Sequence, residues 1–388
     1  MDITISPQKL HGLIEVIPSK SQAHRYLICA ALADTPTSIG CAETSRDMDA
    51  TADCLRALGA DIRSTDSGYH ISPIRQVPKQ AVLPCRDSGS TLRFLLPIVG
   101  ALGVDATFQM EGRLPQRPLS PLWEEMERMG CILTRPTADT IRCQGKLKAG
   151  DYSIDGGVSS QFVTGLMYAK DLIPGGAEVY ITGRLESESY LTMTLQAQGL
   201  FGAPRYHSPG TVQVEGDWSN GAFWLAANAL GNELDIQNLD PNSVQGDRAA
   251  DRFLRELREN TEIDTRNNPD LVPILAIVAA ANEGAVFRNI HRLRLKESDR
   301  VASTIAMIEN LGGKAVEMGG HLVVHGTGLR GGTVDSVNDH RIAMSAAIAA
   351  TVCTEPVTIL GAECVEKSYP KFWAEYARLG GNYELDLR

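Results

Sequence analysis

The stretch IENLGGKAVEMGGHLVV, residues 308–324, shows most clearly the unit from which this chain is built. It begins with the apolar spacing of a helix, and Gly312 stands where such a helix would stop. Two alternating segments follow, with the glycines at 319 and 320 between them. The stretch therefore predicts a helix, a terminating glycine and a β-hairpin.

The same order of signals recurs along the chain. Further copies lie at residues 54–71, 126–142 and 198–214, and a sixth ends the sequence at 376–385. A fifth, at 247–264, passes from helix to a single strand with no room for a hairpin. Six units in two groups of three predict two similar α/β domains, which a chain of 388 residues also favours. The expected boundaries are 1–15 with 217–388 for one domain and 16–216 for the other.

Composition limits the possible functions. With 43% hydrophobic and 22% charged residues, no membrane-length apolar run and no signal-peptide pattern, the chain reads as a cytoplasmic globular protein. Its eight cysteines have no C-x-x-C spacing, which predicts buried reduced thiols and no metal. A net charge of −10 argues against nucleic acid, but an anionic small molecule stays possible because cations in a cleft act at contact.

The densest polar cluster is KESDR, residues 296–300, which the pattern places between a strand and a helix. One interpretation is a solvated helix start capped by Ser298 or Asp299. The other is an anion site in which helix N–H groups, Lys296 and Arg300 receive a phosphate or carboxylate and Glu297 transfers a proton.

Similar clusters of hydroxyls, glycines and cations precede other apolar helices. Their repetition at helix starts in both halves predicts an interdomain cleft for a ligand, or ligand pair, with several negative charges. The cations expected there are Lys20, Arg93, Arg117, Arg300, Arg341 and Lys367.

Eight motifs together resemble one known family. PSKSQAHR (18–25), DSGSTLRF (87–94), QRPLSPL (116–122), SSQF (159–162), NPDLVPIL (268–275), KESDR (296–300), NDHRIAMS (338–345) and EKSYP (366–370) occur in the order found in 5-enolpyruvylshikimate-3-phosphate synthases. The resemblance implies a two-domain inside-out α/β barrel of six βαβαββ units, here with one truncated. It also implies a monomer that transfers the enolpyruvyl group of phosphoenolpyruvate to the 5-hydroxyl of shikimate 3-phosphate without metal or cofactor.

Individual residues match the family's binding positions. The resemblance implies that shikimate 3-phosphate is held by Lys20, Ser21, Arg25, Ser159, Ser160, Gln161, Ser187, Tyr190, Asp270 and Lys296. It implies that phosphoenolpyruvate is held by Lys20, Gly89, Arg93, Arg117, Gln161, Arg300, Arg341 and Lys367. Asp270 matches the proton acceptor, Glu297 its partner in protonation, and Lys20 a third catalytic residue.

Two alternatives stay open. One is the enolpyruvyl transferase that uses UDP-N-acetylglucosamine, whose mobile loop carries a reactive cysteine that residues 111–118 lack. The other is a non-catalytic binder of a phosphorylated metabolite, because the shortened unit after Glu259 lies close to Asp270. A position of Asp270 remote from Lys296 would remove its catalytic assignment.

Overall fold

The computed structural model describes residues 1–259 and 262–386. The chain folds as two compact units, one formed by Met1–Ile17 with Glu215–Arg388 and the other by Pro18–Val214. We call the first the split unit and the second the central unit. Both boundaries fall two residues from the positions expected from the sequence.

Twenty strands lie in the described ranges. They are β1 (Asp2–Ser6), β2 (His11–Glu15), β3 (Thr37–Gly40), β4 (Asp61–Thr65), β5 (Gly68–Ser72), β6 (Gln80–Arg86), β7 (Asp105–Met110), β8 (Cys131–Thr134), β9 (Thr140–Gly145), β10 (Gly150–Asp155), β11 (Ala177–Thr182), β12 (Thr211–Gln213), β13 (Glu233–Gln237), β14 (Glu262–Asp264), β15 (Gly284–Arg288), β16 (Lys314–Met318), β17 (His321–His325), β18 (Gly332–Asp335), β19 (Val357–Leu360) and β20 (Asn382–Asp386).

Twelve α-helices are found in the same ranges. They are α1 (Lys20–Leu32), α2 (Arg46–Ala57), α3 (Gly89–Leu102), α4 (Leu122–Arg128), α5 (Ser160–Leu172), α6 (Glu188–Leu200), α7 (Trp218–Ala229), α8 (Ala249–Glu259), α9 (Val272–Ala281), α10 (Arg300–Asn310), α11 (His340–Ala349) and α12 (Phe372–Arg378). Short 3-10 helices cover Leu114–Gln116, Gly246–Arg248, Pro269–Leu271, His291–Leu295 and Ala362–Lys367.

Each unit contains two four-stranded sheets and one two-stranded sheet. In the central unit the strand orders are β12-β3-β5-β4, β6-β7-β9-β8 and β10-β11. The pair β6 and β7 is parallel and is joined through α3, whereas β8 and β9 form an antiparallel hairpin. A parallel pair requires such a crossover and a hairpin does not, so one sheet combines both connections.

The split unit repeats this arrangement. Its strand orders are β14-β15-β17-β16, β18-β19-β1-β20 and β13-β2. The first strand lies antiparallel between two strands from the far end of the chain. Ile3 is opposite both Ile359 and Leu385, so the two chain ends share one sheet.

The hairpin expected after α6 was a wrong prediction. In residues 203–210 the structure contains no strand, and the single short β12 pairs in parallel with β3. Tyr206 is buried, and its hydroxyl donates to Asp171 at 2.8 Å while Gln198 donates to that hydroxyl. Because these side-chain bonds fix the segment, and Pro204 and Pro209 lack an amide hydrogen, a second strand does not form.

The shortened unit is described on both sides of its predicted junction. Helix α8 ends at Glu259 and β14 begins at Glu262, where it pairs in parallel with β15. The residues between them, 260 and 261, at which the passage was expected, lie outside the described residues.

Apolar side chains fill a core in each unit. In the central unit α3 packs closely on α5, and a Cβ on Gly165 would come within 2.3 Å of the Arg93 carbonyl oxygen. That approach therefore requires glycine. The predicted burial of the cysteines is confirmed, since all eight are buried. None of the helices in the described ranges combines the length and hydrophobicity needed to cross a membrane.

Candidate functional site

The KESDR segment follows a 3-10 helix rather than the predicted strand. Residues His291–Leu295 form that helix, and α10 begins at Arg300. Of the two predicted caps, Asp299 is the one used, because its carboxylate accepts from the amides of Val301 and Ala302. The capped start of α10 therefore fixes the position of Arg300, the first residue of the helix.

Arg300 is the centre of a carboxylate cluster in the split unit. Its side chain is 1% exposed, and Nη1 donates to Asp270 at 2.5 Å while Nη2 donates to Glu297 at 2.7 Å. Its Nε and Nη2 donate to Asp339 at 2.8 and 3.3 Å. One guanidinium therefore connects three carboxylates from three different parts of the chain.

Asp270 lies beside Lys296, at 3.2 Å between Oδ1 and Nζ. Arg341 donates to the Asp270 carbonyl oxygen at 3.2 Å, and its Nε is 3.7 Å from the carboxylate. Burial alone would raise the pKa of Asp270, but Lys296, Arg341 and Arg300 outweigh it and hold the pKa well below its usual range. Asp270 therefore lies next to Lys296 although the unit before it is shortened.

The pKa of Lys296 is set mainly by burial, which outweighs the carboxylate beside it. Burial lowers its pKa, and the charges of Arg300 and Arg292 act in the same direction, while Asp270 raises it. The result is a net decrease from the ordinary lysine value. Its ammonium group is therefore buried beside the Asp270 carboxylate and is also influenced by the charges of two arginines.

Two acidic residues of this cluster were missed at the level of sequence. Asp339 is completely buried, caps α11 by accepting from the Arg341 amide at 3.0 Å, and accepts from Ser298 at 2.9 Å. Asp247 is also buried, and burial with the nearby charge of Asp270 raises its pKa. The only local signal for Asp339 was its place two residues before the predicted cation Arg341.

Lys367 does not stand at a helix start, so that part of the prediction was wrong. It is the last residue of the 3-10 helix Ala362–Lys367, and only 5% of its surface is exposed. Arg341 does fit the expectation, since it is the second residue of α11. No group of three or more metal-holding side chains occurs within residues 1–259 and 262–386.

In the central unit, the start of α1 carries two of the predicted cations. Ser19 caps the helix, and Lys20 pairs with Asp47 at 2.9 Å. Arg25 is buried, and burial lowers its pKa. It donates to the carbonyl oxygens of Ser21 and Tyr190, both at 2.8 Å, and thereby ties α1 to α6.

A second group surrounds Gln161 near the starts of α3 and α5. Arg93 donates to the Gln161 side-chain oxygen at 2.8 Å, and Gln161 donates to Ser90 at 2.9 Å. The second terminal nitrogen of Arg93, Nη2, donates to the Pro118 carbonyl oxygen at 3.1 Å. Pro118 follows Arg117 in the sequence. The structure thus assembles the neighbourhood of Gly89 from residues of three separate predicted motifs.

The remaining predicted residues of the central unit lie at helix starts. Ser159 caps α5 and Ser160 is its first residue, buried at 4% exposure. Ser187 precedes α6 with a left-handed backbone at φ 57°, and Tyr190 lies in the first turn of that helix. The side chain of Arg25 lies over the Tyr190 ring at 5.9 Å.

The mixed α/β fold is that of enolpyruvyl transferases. An EPSP synthase from Acinetobacter baumannii has a TM-score of 0.79 at 21% identity, covering 100% of both chains. The enolpyruvyl transferase NikO from Streptomyces tendae has a TM-score of 0.74 at 16% identity, covering 99% of this chain and 98% of that one. At such identities the likeness establishes the fold alone.

Sequence relatives define the family more narrowly. The EPSP synthase (3-phosphoshikimate 1-carboxyvinyltransferase) family model matches residues 5–376. The 3-phosphoshikimate 1-carboxyvinyltransferase of Clostridium kluyveri is 37% identical over 419 residues, covering 99% of this chain and 98% of that protein. Its counterpart in Clostridium acetobutylicum is 37% identical over 417 residues, covering 98% and 97%. The chain belongs to the EPSP synthase family.

Proposed function

We propose that this protein transfers the enolpyruvyl group of phosphoenolpyruvate to the 5-hydroxyl of shikimate 3-phosphate and releases phosphate. The product would serve chorismate and aromatic amino acid biosynthesis. The observation that carries the proposal is the joining of Asp270 and Glu297 through Arg300, with Lys296 beside Asp270. Family membership over nearly the whole chain supports the choice of substrates.

The reaction needs two proton transfers and a neutralised leaving group. Addition removes a proton from the acceptor hydroxyl and delivers one to the methylene carbon of the donor, which requires carboxyl groups in different protonation states. We assign the first role to Asp270, whose pKa is held low, and the second to Glu297. Elimination of phosphate from the tetrahedral adduct then requires surrounding cations.

The central unit is proposed to supply most of the acceptor contacts. Lys20, Ser21, Arg25, Ser159, Ser160, Gln161, Ser187 and Tyr190 are assigned to shikimate 3-phosphate, with Asp270 and Lys296 from the split unit. Gly89, Arg93 and Arg117 are assigned to phosphoenolpyruvate together with Lys20, Gln161, Arg300, Arg341 and Lys367. The N-cap geometry of α1, α3 and α5 supports an anion-binding role for this set.

The finer architecture is part of the same proposal. We propose an inside-out α/β barrel of six repeats, one of them truncated, with the active site in the cleft between domains 1–15 with 217–388 and 16–216. The paired four-stranded sheets of each unit support it. We further propose that the protein acts as a monomer in the cytoplasm.

A phosphate-release assay tests this function. We expect phosphate to be released from phosphoenolpyruvate only when shikimate 3-phosphate is added, and not with UDP-N-acetylglucosamine or without acceptor. Release with the sugar nucleotide instead would assign the other enolpyruvyl transfer. If no phosphate is released with either acceptor, the protein is a non-catalytic binder and the proposal is contradicted.

Gly89→Ala should weaken donor binding selectively. An added Cβ would lie 2.9 Å from Nη1 of both Arg93 and Arg117, so both guanidinium groups would have to move. Loss of one charge-assisted contact of about 1.5 kcal/mol would raise the KM for phosphoenolpyruvate about 10-fold. The KM for shikimate 3-phosphate should stay near the wild-type value in steady-state assays.

Gly199→Ala is the matched control for that variant. Gly199 lies on α6 with no neighbouring atom within 4 Å of an added Cβ, so alanine fits without displacement. Its kinetics should equal those of the wild type. Equal donor KM values for Gly89→Ala and Gly199→Ala would show that Gly89 does not border the donor.

A further inference from the structure

Arg86 has a backbone conformation that is unusual for a residue with a side chain. Its φ is 52°, in the left-handed region, which costs free energy for any residue that carries a Cβ. It lies at the end of β6, where the pairing register with β7 shifts between Pro84 and Arg86. A strained residue persists only where its surroundings hold it, so the contacts of Arg86 show what maintains this conformation.

The side chain of Arg86 is paired with α2. Its Nη2 donates to one carboxylate oxygen of Asp53 at 2.7 Å, and Arg56 donates to the other oxygen at 2.7 Å. The side chains of Arg86 and Asp53 are only 30% and 32% exposed, so water screens this pair incompletely. The pair therefore ties the end of β6 to α2.

The backbone of Arg86 forms the turn that leads into α3. The Ser88 amide donates to the Cys85 carbonyl oxygen at 3.0 Å, which makes Arg86 the first central residue of a four-residue turn. A positive φ at that position normally selects glycine. Ser88 then caps α3 by accepting from the Thr91 amide at 3.3 Å, and Gly89 follows as the first residue of the helix.

The carbonyl oxygen of Arg86 holds a second segment. It accepts from the Glu111 amide at 2.7 Å, at the start of the segment that carries Arg117. The two segments meet again at Gly89, where an added Cβ would lie 2.9 Å from Nη1 of both Arg93 and Arg117. The conformation of residue 86 therefore bears on both sides of the assigned donor site.

We propose that Arg86 is a positioning residue for the donor site: its ion pair with Asp53 holds the left-handed backbone at residue 86 and thereby fixes Gly89 and Arg117. The inference rests on the proposed function, which assigns those two residues to phosphoenolpyruvate. Loss of the ion pair lowers the population of the binding-competent conformation and raises the apparent Kd of the donor by the same factor. Donor binding restores that conformation, so kcat at saturating donor is unchanged.

Comparison of Arg86→Ala with Arg86→Gly tests this role. Alanine keeps a Cβ and loses the ion pair, so the KM for phosphoenolpyruvate should rise about fivefold, equivalent to about 1 kcal/mol, at unchanged kcat. Glycine adopts a positive φ without that cost, so its donor KM should stay within about twofold of the wild type. If Arg86 contacted the donor directly, both variants would raise the donor KM equally. That result, or a wild-type KM for Arg86→Ala, would overturn the proposal.

Arg142 provides the matched control in the same unit. It pairs with Asp105 at 2.7 Å and is 40% exposed, but it lies within β9, where its φ is not positive. Neither Arg142→Ala nor Arg142→Gly should change the donor KM. Glycine should have no advantage over alanine at this position.

Asp53→Asn examines the other partner of the ion pair. In the wild-type background it should raise the donor KM about as much as Arg86→Ala does, and in the Arg86→Gly background it should add nothing. Because Asp53 also pairs with Arg56, the difference between the two backgrounds isolates the part that acts through Arg86. An equal effect in both backgrounds would overturn the proposal.

Tryptic cleavage after Arg113, followed by mass spectrometry, reads the position of the second segment without turnover. Arg113 is exposed and lies between Glu111 and Arg117. Cleavage there should be about fivefold faster in Arg86→Ala than in the wild type or Arg86→Gly, because the segment is less firmly held. This order of cleavage rates in a protein that releases no phosphate would overturn the proposed function alone. Phosphate release with equal cleavage rates and equal donor KM values in the two variants would overturn this inference alone.

Discussion

Arg300→Ala is expected to lower kcat/KM for phosphoenolpyruvate about 10- to 150-fold, because a charge-assisted contact to the donor of about 1.5–3 kcal/mol is lost. The same change leaves Asp270, Glu297 and Asp339 without their shared cation. Removing one partner from a buried ionic cluster typically destabilises a protein by about 3–5 kcal/mol. The free energy of unfolding measured in urea and the kcat/KM for phosphoenolpyruvate should therefore both decrease.

Two further variants separate these effects. Arg300→Lys keeps the positive charge but loses the planar set of N–H groups that can bind an anion at two points. Compared with Arg300→Ala, it should recover part of the stability but little of the affinity for phosphoenolpyruvate. Arg255→Ala removes an exposed arginine paired with Asp251 at 2.7 Å on α8, where ion pairs contribute at most about 1 kcal/mol. A change in kcat/KM under twofold for Arg300→Ala would show that Arg300 does not touch substrate.

The starts of helices could be predicted because their signals are local. Ser19, Ser88, Ser159 and Asp339 each bond a backbone amide within three residues, so the sequence order alone places the residues that follow. The three copies of helix, glycine and hairpin at α2, α4 and α10 depend on equally local glycine and alternation signals. From these local signals, several of the predicted cations could be assigned to helix starts from the sequence alone.

The partners of those cations could not be predicted, because they come from distant parts of the chain. Arg300 meets Asp270 across 30 residues and Asp339 across 39, and no periodicity reports such pairing. The same limit explains the failed hairpin: Tyr206 looked like part of an alternating strand, but its burial against Asp171, 35 residues away, decides the local structure. Asp270 itself came from the family resemblance, and its role stays a proposal.

Asp270→Asn is expected to lower kcat about 10²- to 10⁴-fold, the usual contribution of a general base. Burial would raise the pKa of Asp270, yet Lys296, Arg341 and Arg300 hold it well below its usual range. A carboxylate in that state is ionised throughout neutral pH and does not produce an acid limb in the rate profile there. The loss should therefore be nearly constant between about pH 6 and 9.

The change in acceptor affinity distinguishes a lost base from a damaged site. Asparagine keeps a side-chain oxygen for the acceptor contact assigned to Asp270 and removes a negative charge next to Lys296, Arg300 and Arg341, so an anionic acceptor should bind at least as tightly as in the wild type. We expect kcat to fall while the KM for shikimate 3-phosphate does not rise, with Asp251→Asn on the exposed face of α8 as the control. A raised acceptor KM with little change in kcat would mean that Asp270 positions the acceptor and that another group removes its proton.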